Sequence, residues 1–371
     1  MNAINKFQAV AAHLNNVVLE KENEINAVLS LIIAREHGFF LGVPGVGKSY
    51  LIDSLAKCID ADYFKVLVTA TTTPQELYGP VSLSALRQDK LEVCPKGYLP
   101  ETTLAMMDEM FKGNSQTLNS VLMAMNERQF RNGSQLVDIP LVSMFAASNE
   151  LPADASLAAL WDRFTVRIVV DRIQDPKNFL KLLTTASPTF DPNNRLSLQD
   201  LEEANKAMAD VDVSPILETI VVVRQEFSLS SDLDISDRRW KQVLKYLKAQ
   251  AVLRGSNSVD ANYLLMVPDC LWNKPEDRSR IGSVLNRHLP RATSKLSELF
   301  AEAVALSDAG MKANTENEVS AAYTGIRDIK SKVEALAAES PADAKFLATS
   351  LATFNKQFDS LRAKYMAIKG L

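Results

Sequence analysis

The stretch HGFFLGVPGVGKSYLIDSLAKCI, residues 37–59, decides how the rest of the chain is read. A short apolar run, Phe39 to Leu41, meets a glycine-rich turn, and an amphipathic helix carrying Leu51, Ile52, Leu55 and Ile59 follows. The local order is therefore strand, loop, helix. Gly42 to Ser49 match G-x-x-x-x-G-K-[ST] at every position. Glycines let consecutive backbone N–H groups curl into an anion-binding nest, and the helix N-terminus adds partial positive charge. The candidate phosphate-binding residues are Gly42, Pro44, Gly45, Val46, Gly47, Lys48, Ser49 and Tyr50. Lys48 is placed to reach β- and γ-phosphates, and the Ser49 hydroxyl to ligate Mg²⁺. The glycine order differs from the G-x-G-x-x-G of dinucleotide folds.

Further strand-like runs follow at residues 65–69, 104–107, 141–147 and 165–170, with helical segments between them, including 115–127. This alternation predicts a five-stranded parallel sheet covered on both faces and ending near Val170. The 104–107 run has no β-branched residue, so propensity alone does not make it a strand. It ends in Asp108-Glu109, sixty positions after Lys48. An Asp there suits Mg²⁺, and the adjacent Glu suits a general base for water. ATP is favoured over GTP. The nearest approach to a guanine-reading N-K-x-D loop, Asn273-Lys274-Pro275-Glu276, ends in Glu and lies beyond the α/β unit.

On either side the pattern is helical. Residues 3–36 carry apolar positions at helical spacing, as do 198–208, 216–227 and 240–253. After Pro290, one stripe runs through Val319, Tyr323, Ile326, Ile329, Val333 and Leu336. A second runs through Leu347, Leu351, Phe354, Phe358, Leu361 and Tyr365. Ser340-Pro341 between them reads as a helix start, so a helical hairpin is expected, with a third helix at residues 294–306. The expected divisions are an α/β domain over 1–174, an all-helical lid over 175–270 and a helical hairpin within 271–371.

Composition narrows the function. Of 371 residues, 41 are Lys or Arg and 45 Asp or Glu, giving a net charge of −4. Bulk charge therefore does not make this a nucleic-acid binder, though a local basic patch would. Cys58, Cys94 and Cys270 lie far apart and only three histidines are present, which argues against structural zinc. No run approaches the ~20 apolar residues of a membrane helix. The first residues lack the plan of a signal peptide, so a cytoplasmic location is expected.

Four further segments carry a resemblance. The run 142–147 enters Ser148-Asn149-Glu150, which resembles sensor 1 of AAA+ ATPases. Ala159-Leu160-Trp161-Asp162-Arg163-Phe164 resembles the segment bearing the trans arginine finger in the MoxR branch. Ile235-Ser236-Asp237-Arg238-Arg239-Trp240 resembles the sensor 2 helix start, with Arg238 preferred and Arg239 the alternative. Residues 73–80 and 125–133 resemble the approach to the helix-2 insert and the pre-sensor-1 hairpin. Over residues 15–265 the closest similarity is to RavA-type MoxR ATPases. Residues 271–371 are shorter than the insertion of longer RavA-type proteins, and the hairpin takes its place.

The resemblance implies an AAA+ ATPase that works as a hexameric ring and remodels a protein client, commonly beside a von Willebrand factor A-domain partner. It implies that Glu109, Asn149, Arg163 and Arg238 are catalytic and that Ser49 and Asp108 hold Mg²⁺. ATP would contact its own subunit's lid through Arg238 and the neighbouring subunit through Arg163. Two other classes fit parts of the sequence. A nucleic-acid motor would turn Lys96, Arg128 and Arg131 toward a pore. A nucleotide-switched scaffold would not need the intact Asp108-Glu109 pair.

Overall fold

The computed structural model describes residues 2–186, 188–229, 235–289, 291–313, 315–339, 361, 362, 364–366 and 368. Five parallel strands form the central sheet: β1 (His37–Leu41), β2 (Tyr63–Leu67), β3 (Leu104–Asp108), β6 (Ser143–Ser148) and β7 (Phe164–Val169). Their order is β2-β3-β6-β1-β7. The expected α/β architecture is thus present. The run at 104–107, weak by propensity, is a strand because burial and two parallel neighbours decide it: its first four residues are at most 1% exposed. β4 (Gln129–Asn132) and β5 (Gln135–Asp138) form the separate antiparallel hairpin at the pre-sensor position.

The helical stretch expected over 3–36 is present as two helices, α1 (Ala3–Val17) and α2 (Glu22–Ala34). The break lies at Glu20, which takes a left-handed φ of 60° without any glycine or proline to announce it. α3 (Lys48–Ala56) follows the phosphate loop. Short helices α4 (Pro74–Tyr78) and α5 (Leu83–Leu86) build the insert before β3. α6 (Ser115–Glu127) precedes the hairpin, and α7 (Ala158–Trp161) precedes β7.

Beyond β7 the described chain is helical: α8 (Pro176–Thr184), α9 (Leu198–Ala207), α10 (Ser214–Leu229), α11 (Asp237–Leu253), α12 (Pro268–Leu271) and α13 (Asp277–His288). α9 returns to pack on α1 and α2, and a Lys6–Asp200 ion pair of 2.7 Å fastens it there. α11 packs along α2, and α12 packs on β7. One apolar core therefore runs continuously from Phe7 to Leu289.

Trp272 shows how the helices lock to the sheet. It is fully buried, lies edge-on to Trp161 at 5.6 Å, and donates its indole N–H to the Arg167 carbonyl at 2.7 Å. Trp272→Ala removes this packing and leaves a cavity, so it should cost about 3–5 kcal/mol in a denaturant titration.

The C-terminal arms form a second, smaller core. α14 (Arg291–Lys312) and α15 (Glu316–Glu339) pair around a short turn. Leu296, Leu299 and Ala303 meet Val319, Ile326, Ile329 and Val333. The first predicted stripe is therefore an inward face, but its helical partner is α14. Leu361 and Tyr365 also join this core, with Tyr365 stacked on Tyr323 at 4.4 Å. Ser340, Pro341, Leu347, Leu351, Phe354 and Phe358 lie outside the described residues.

Candidate active site

The phosphate loop leaves the C-terminal end of β1 at the middle of the sheet. Gly42 donates its N–H to Ser148 O at 3.2 Å, and a Cβ there would sit 2.5 Å from the Val170 carbonyl, so no side chain fits. Gly47 takes φ +90° as the N-cap of α3 and faces open space, as a loop wrapped around an anion requires. Lys48 is 6% exposed, and its ammonium lies 2.6 Å from Gly42 O and 3.0 Å from Val43 O. Burial lowers its pKa, opposed by the charges of Glu109 and Asp108. Val46 points into the core, whereas Pro44, Gly45 and Tyr50 are exposed around the loop.

Ser49 Oγ donates to Asp108 Oδ2 at 2.5 Å, joining the start of α3 to the end of β3. A hydroxyl and a carboxylate so placed form a hard oxygen donor set of the kind Mg²⁺ takes beside phosphates. ATP with Mg²⁺ thus fits the residues present: an open glycine cradle, one buried cation and one oxygen pair.

Glu109 has a left-handed backbone, φ 53° and ψ 36°, unusual for a residue with a Cβ. That twist turns its side chain out of the strand direction. Its Oε2 is buried and lies 3.2 Å from the Lys112 ammonium. Asn149 is exposed and follows Ser148, which is in register with Leu41. The backbone therefore brings Gly42, Lys48, Ser49, Asp108, Glu109 and Asn149 to one edge of the sheet.

Arg163 and Arg238 lie elsewhere. Phe164 pairs with His37 at the opposite end of β1, four residues from Leu41. At about 3.3 Å per residue that places Arg163 more than about 13 Å from the phosphate loop. Arg238, expected to reach its own subunit's nucleotide, instead lines the same cleft as Arg163. This cleft has a volume of about 590 Å³ and also exposes Arg35, Glu36 and Lys245. Arg163 donates its Nε–H to Asn126 Oδ1 and lies 3.7 Å from Asp162 Oδ2. Burial and the neighbouring Arg238 both lower its pKa.

His37 forms part of the cleft wall. Its Nδ1 accepts from Met144 N at 2.9 Å, and its Nε2 lies 3.1 Å from the Met125 carbonyl and 2.8 Å from Arg128 Nη1. Burial, then Arg128, push its pKa well below the usual value, so the ring is neutral. Arg128 is held within its own chain: its guanidinium donates to the carbonyls of Met125, Arg35 at 2.8 Å and Val142 at 3.3 Å. It fastens the end of α6, and only Lys96 and Arg131 of that trio remain exposed.

Sequence reasoning missed two partners, Arg167 and Asn126. Arg167, on β7, is fully buried, with its guanidinium 4.0 Å over the Trp161 ring. Asn126, which receives Arg163, lies in the 125–133 run, whose resemblance gives it no such role. Arg239, the alternative to Arg238 by sequence, is 2% exposed.

Two family models match most of the chain. Residues 5–206, more than half of the chain, match the MoxR domain of MoxR–vWA–β-propeller ternary systems, and residues 215–285 match an AAA lid domain. An uncharacterized Methanocaldococcus jannaschii protein is 38% identical over 74% of this chain and 74% of its own. A second from that organism is 36% identical over 76% of this chain and 74% of its own. The protein MoxR of Paracoccus denitrificans is 25% identical over 48% of this chain and 53% of its own. A crystal structure of a Cytophaga hutchinsonii candidate ATPase has the same fold, with a TM-score of 0.62 at 20% identity over 78% of this chain and 95% of its own. With a phosphate loop, a paired strand-end Asp-Glu and a helical lid on one parallel sheet, the chain belongs to the MoxR family of AAA+ ATPases.

Proposed function

We propose that this chain hydrolyses ATP at the interfaces of a homo-oligomeric ring, a hexamer, and uses the cycle to remodel a protein client. One observation carries the reading: Lys48, Ser49, Asp108 and Glu109 occupy one end of β1, and Arg163 and Arg238 the other. A single subunit holds two halves of a site that do not meet. In a head-to-tail ring the arginine cleft of one subunit faces the phosphate loop of the next. Arg238 then acts in trans beside Arg163, which differs from the cis role that the resemblance implies.

In this reading Lys48 and the loop N–H groups bind the phosphates, and Ser49 and Asp108 hold Mg²⁺, which neutralises developing phosphate charge. Glu109 takes the proton of the attacking water, and Asn149 orients that water. Arg163 and Arg238 stabilise charge on the transferring group. Loss of the γ-phosphate releases both arginines, and the lid carrying Arg238 moves.

The exposed face of α8 supports assembly. Phe179, Leu180, Leu182 and Leu183 are each at least half exposed, and the helix buries nothing within its own chain. The matched family is defined by systems that pair MoxR with vWA and β-propeller proteins. That supports a vWA-domain partner here. Within the family the lid-start motif keeps the RavA-type subgroup as our reading, with a cytoplasmic location. Among the described residues no helix is long and apolar enough to cross a membrane.

The reading predicts ATP turnover per subunit that rises with protein concentration as rings form, and that vanishes in Lys48→Ala. Turnover independent of concentration across the assembly range would contradict shared sites.

A further inference from the structure

Asp162 lies between the two arginine-bearing elements. Its Oδ2 is 3.7 Å from the Arg163 guanidinium, and its Oδ1 is 3.4 Å from Arg239 Nε. Ser236, the N-cap of α11, donates its hydroxyl to Asp162 Oδ2 at 3.4 Å. One carboxylate thus touches the finger, the lid helix start and a buried lid cation.

The Arg239 side is underfilled. The residue is 2% exposed, yet its Nε and Nη2 have no hydrogen-bond partner among the described residues. Its Nη1 reaches Asn273 Oδ1 at 3.4 Å, an oxygen already receiving Arg167 at 2.9 Å and Trp161 Nε1 at 3.3 Å. A buried guanidinium with unused donors gains from any carboxylate that approaches. The carboxylate in reach is Asp162, half engaged with Arg163. Arg163 itself rests on Asn126 Oδ1.

We propose that Asp162 is a positioning residue that couples the finger to the lid, its carboxylate exchanging between Arg163 and Arg239. The inference rests on Arg163 acting in trans. When a neighbour's phosphate draws Arg163 away, Asp162 loses one cation and closes on the free donors of Arg239. Arg238 precedes Arg239 on α11, so that closure shifts the second arginine as the first engages. Occupancy of one subunit's site is thereby felt by the lid of the next.

The test compares Asp162→Asn, Asp162→Glu, Arg163→Ala and the double variant Asp162→Asn with Arg163→Ala, by steady-state ATP turnover, nucleotide binding and ring assembly. Asp162→Asn should assemble and bind nucleotide as the parent chain does. Its kcat should fall about 10- to 100-fold at nearly constant KM, the effect of a displaced but present catalytic group. Asp162→Glu keeps the charge that Arg239 needs, and should show a smaller loss. It carries the test if the Asn variant fails to fold. In the Arg163→Ala background, Asp162→Asn should add nothing, because it acts through that arginine. Parental turnover in both Asp162 variants would overturn the coupling, as would an equal loss with and without Arg163. Parental turnover in Arg163→Ala would instead remove the trans-finger reading beneath it.

Discussion

Glu109→Gln should bind ATP as tightly as the parent chain and hydrolyse it about 10²- to 10⁴-fold more slowly, the usual contribution of a positioned general base. The substitution keeps the shape of the side chain and removes its capacity to accept a proton. It leaves Lys48 on the loop carbonyls and the 2.5 Å pair of Ser49 with Asp108 untouched. It does sever the ion pair with Lys112, but that lysine is half exposed and such contacts contribute little to stability. Fluorescent-nucleotide binding and single-turnover hydrolysis together separate the two roles. Binding lost in step with turnover would make Glu109 a structural residue rather than a base. The left-handed backbone at this position points the other way: local strain is retained where geometry serves a site.

Much of this half-site was legible before any fold was known, because its chemistry is local. A glycine-rich turn between a strand and a helix creates an anion nest from consecutive residues, and Lys48 and Ser49 sit on the helix that the turn begins. Asp108-Glu109 was readable for a related reason: an apolar run ending in two acids puts them at the sheet edge. The order of the strands adds little information that these motifs lack.

The other half was less legible because it is made by packing. Arg163 and Arg238 are separated by 75 positions in the sequence and meet only because α11 lies along α2 beside β1. β7 belongs to a sheet covered on both faces, and its sequence does not say what receives the Arg167 charge. The helices beyond the strand cover the face that carries it, and Trp161 and Trp272 enclose the guanidinium. Arg239 stood as the alternative to the preferred Arg238 by sequence, and a single step along α11 rotates the side chain by about 100° and buries it. The break after α1 was hidden because a non-glycine residue, Glu20, adopts the left-handed turn. Its carboxylate is held there by the backbone N–H groups of Gln174 and Asp175.

The central claim is that each active site is divided between two subunits, and it is most directly tested by mixing two inactive variants. Lys48→Ala lacks the phosphate-binding half, and Arg163→Ala lacks the trans half. Removing an arginine finger should lower turnover about 10³-fold or more, and each variant alone has no complete interface. In rings mixed at equal ratio, about a quarter of interfaces pair an intact phosphate loop with an intact Arg163, by random arrangement around a head-to-tail ring. The account predicts recovery of roughly that fraction of parental turnover. Mixed rings, verified by differential tagging, that hydrolyse no more ATP than either variant alone would contradict it.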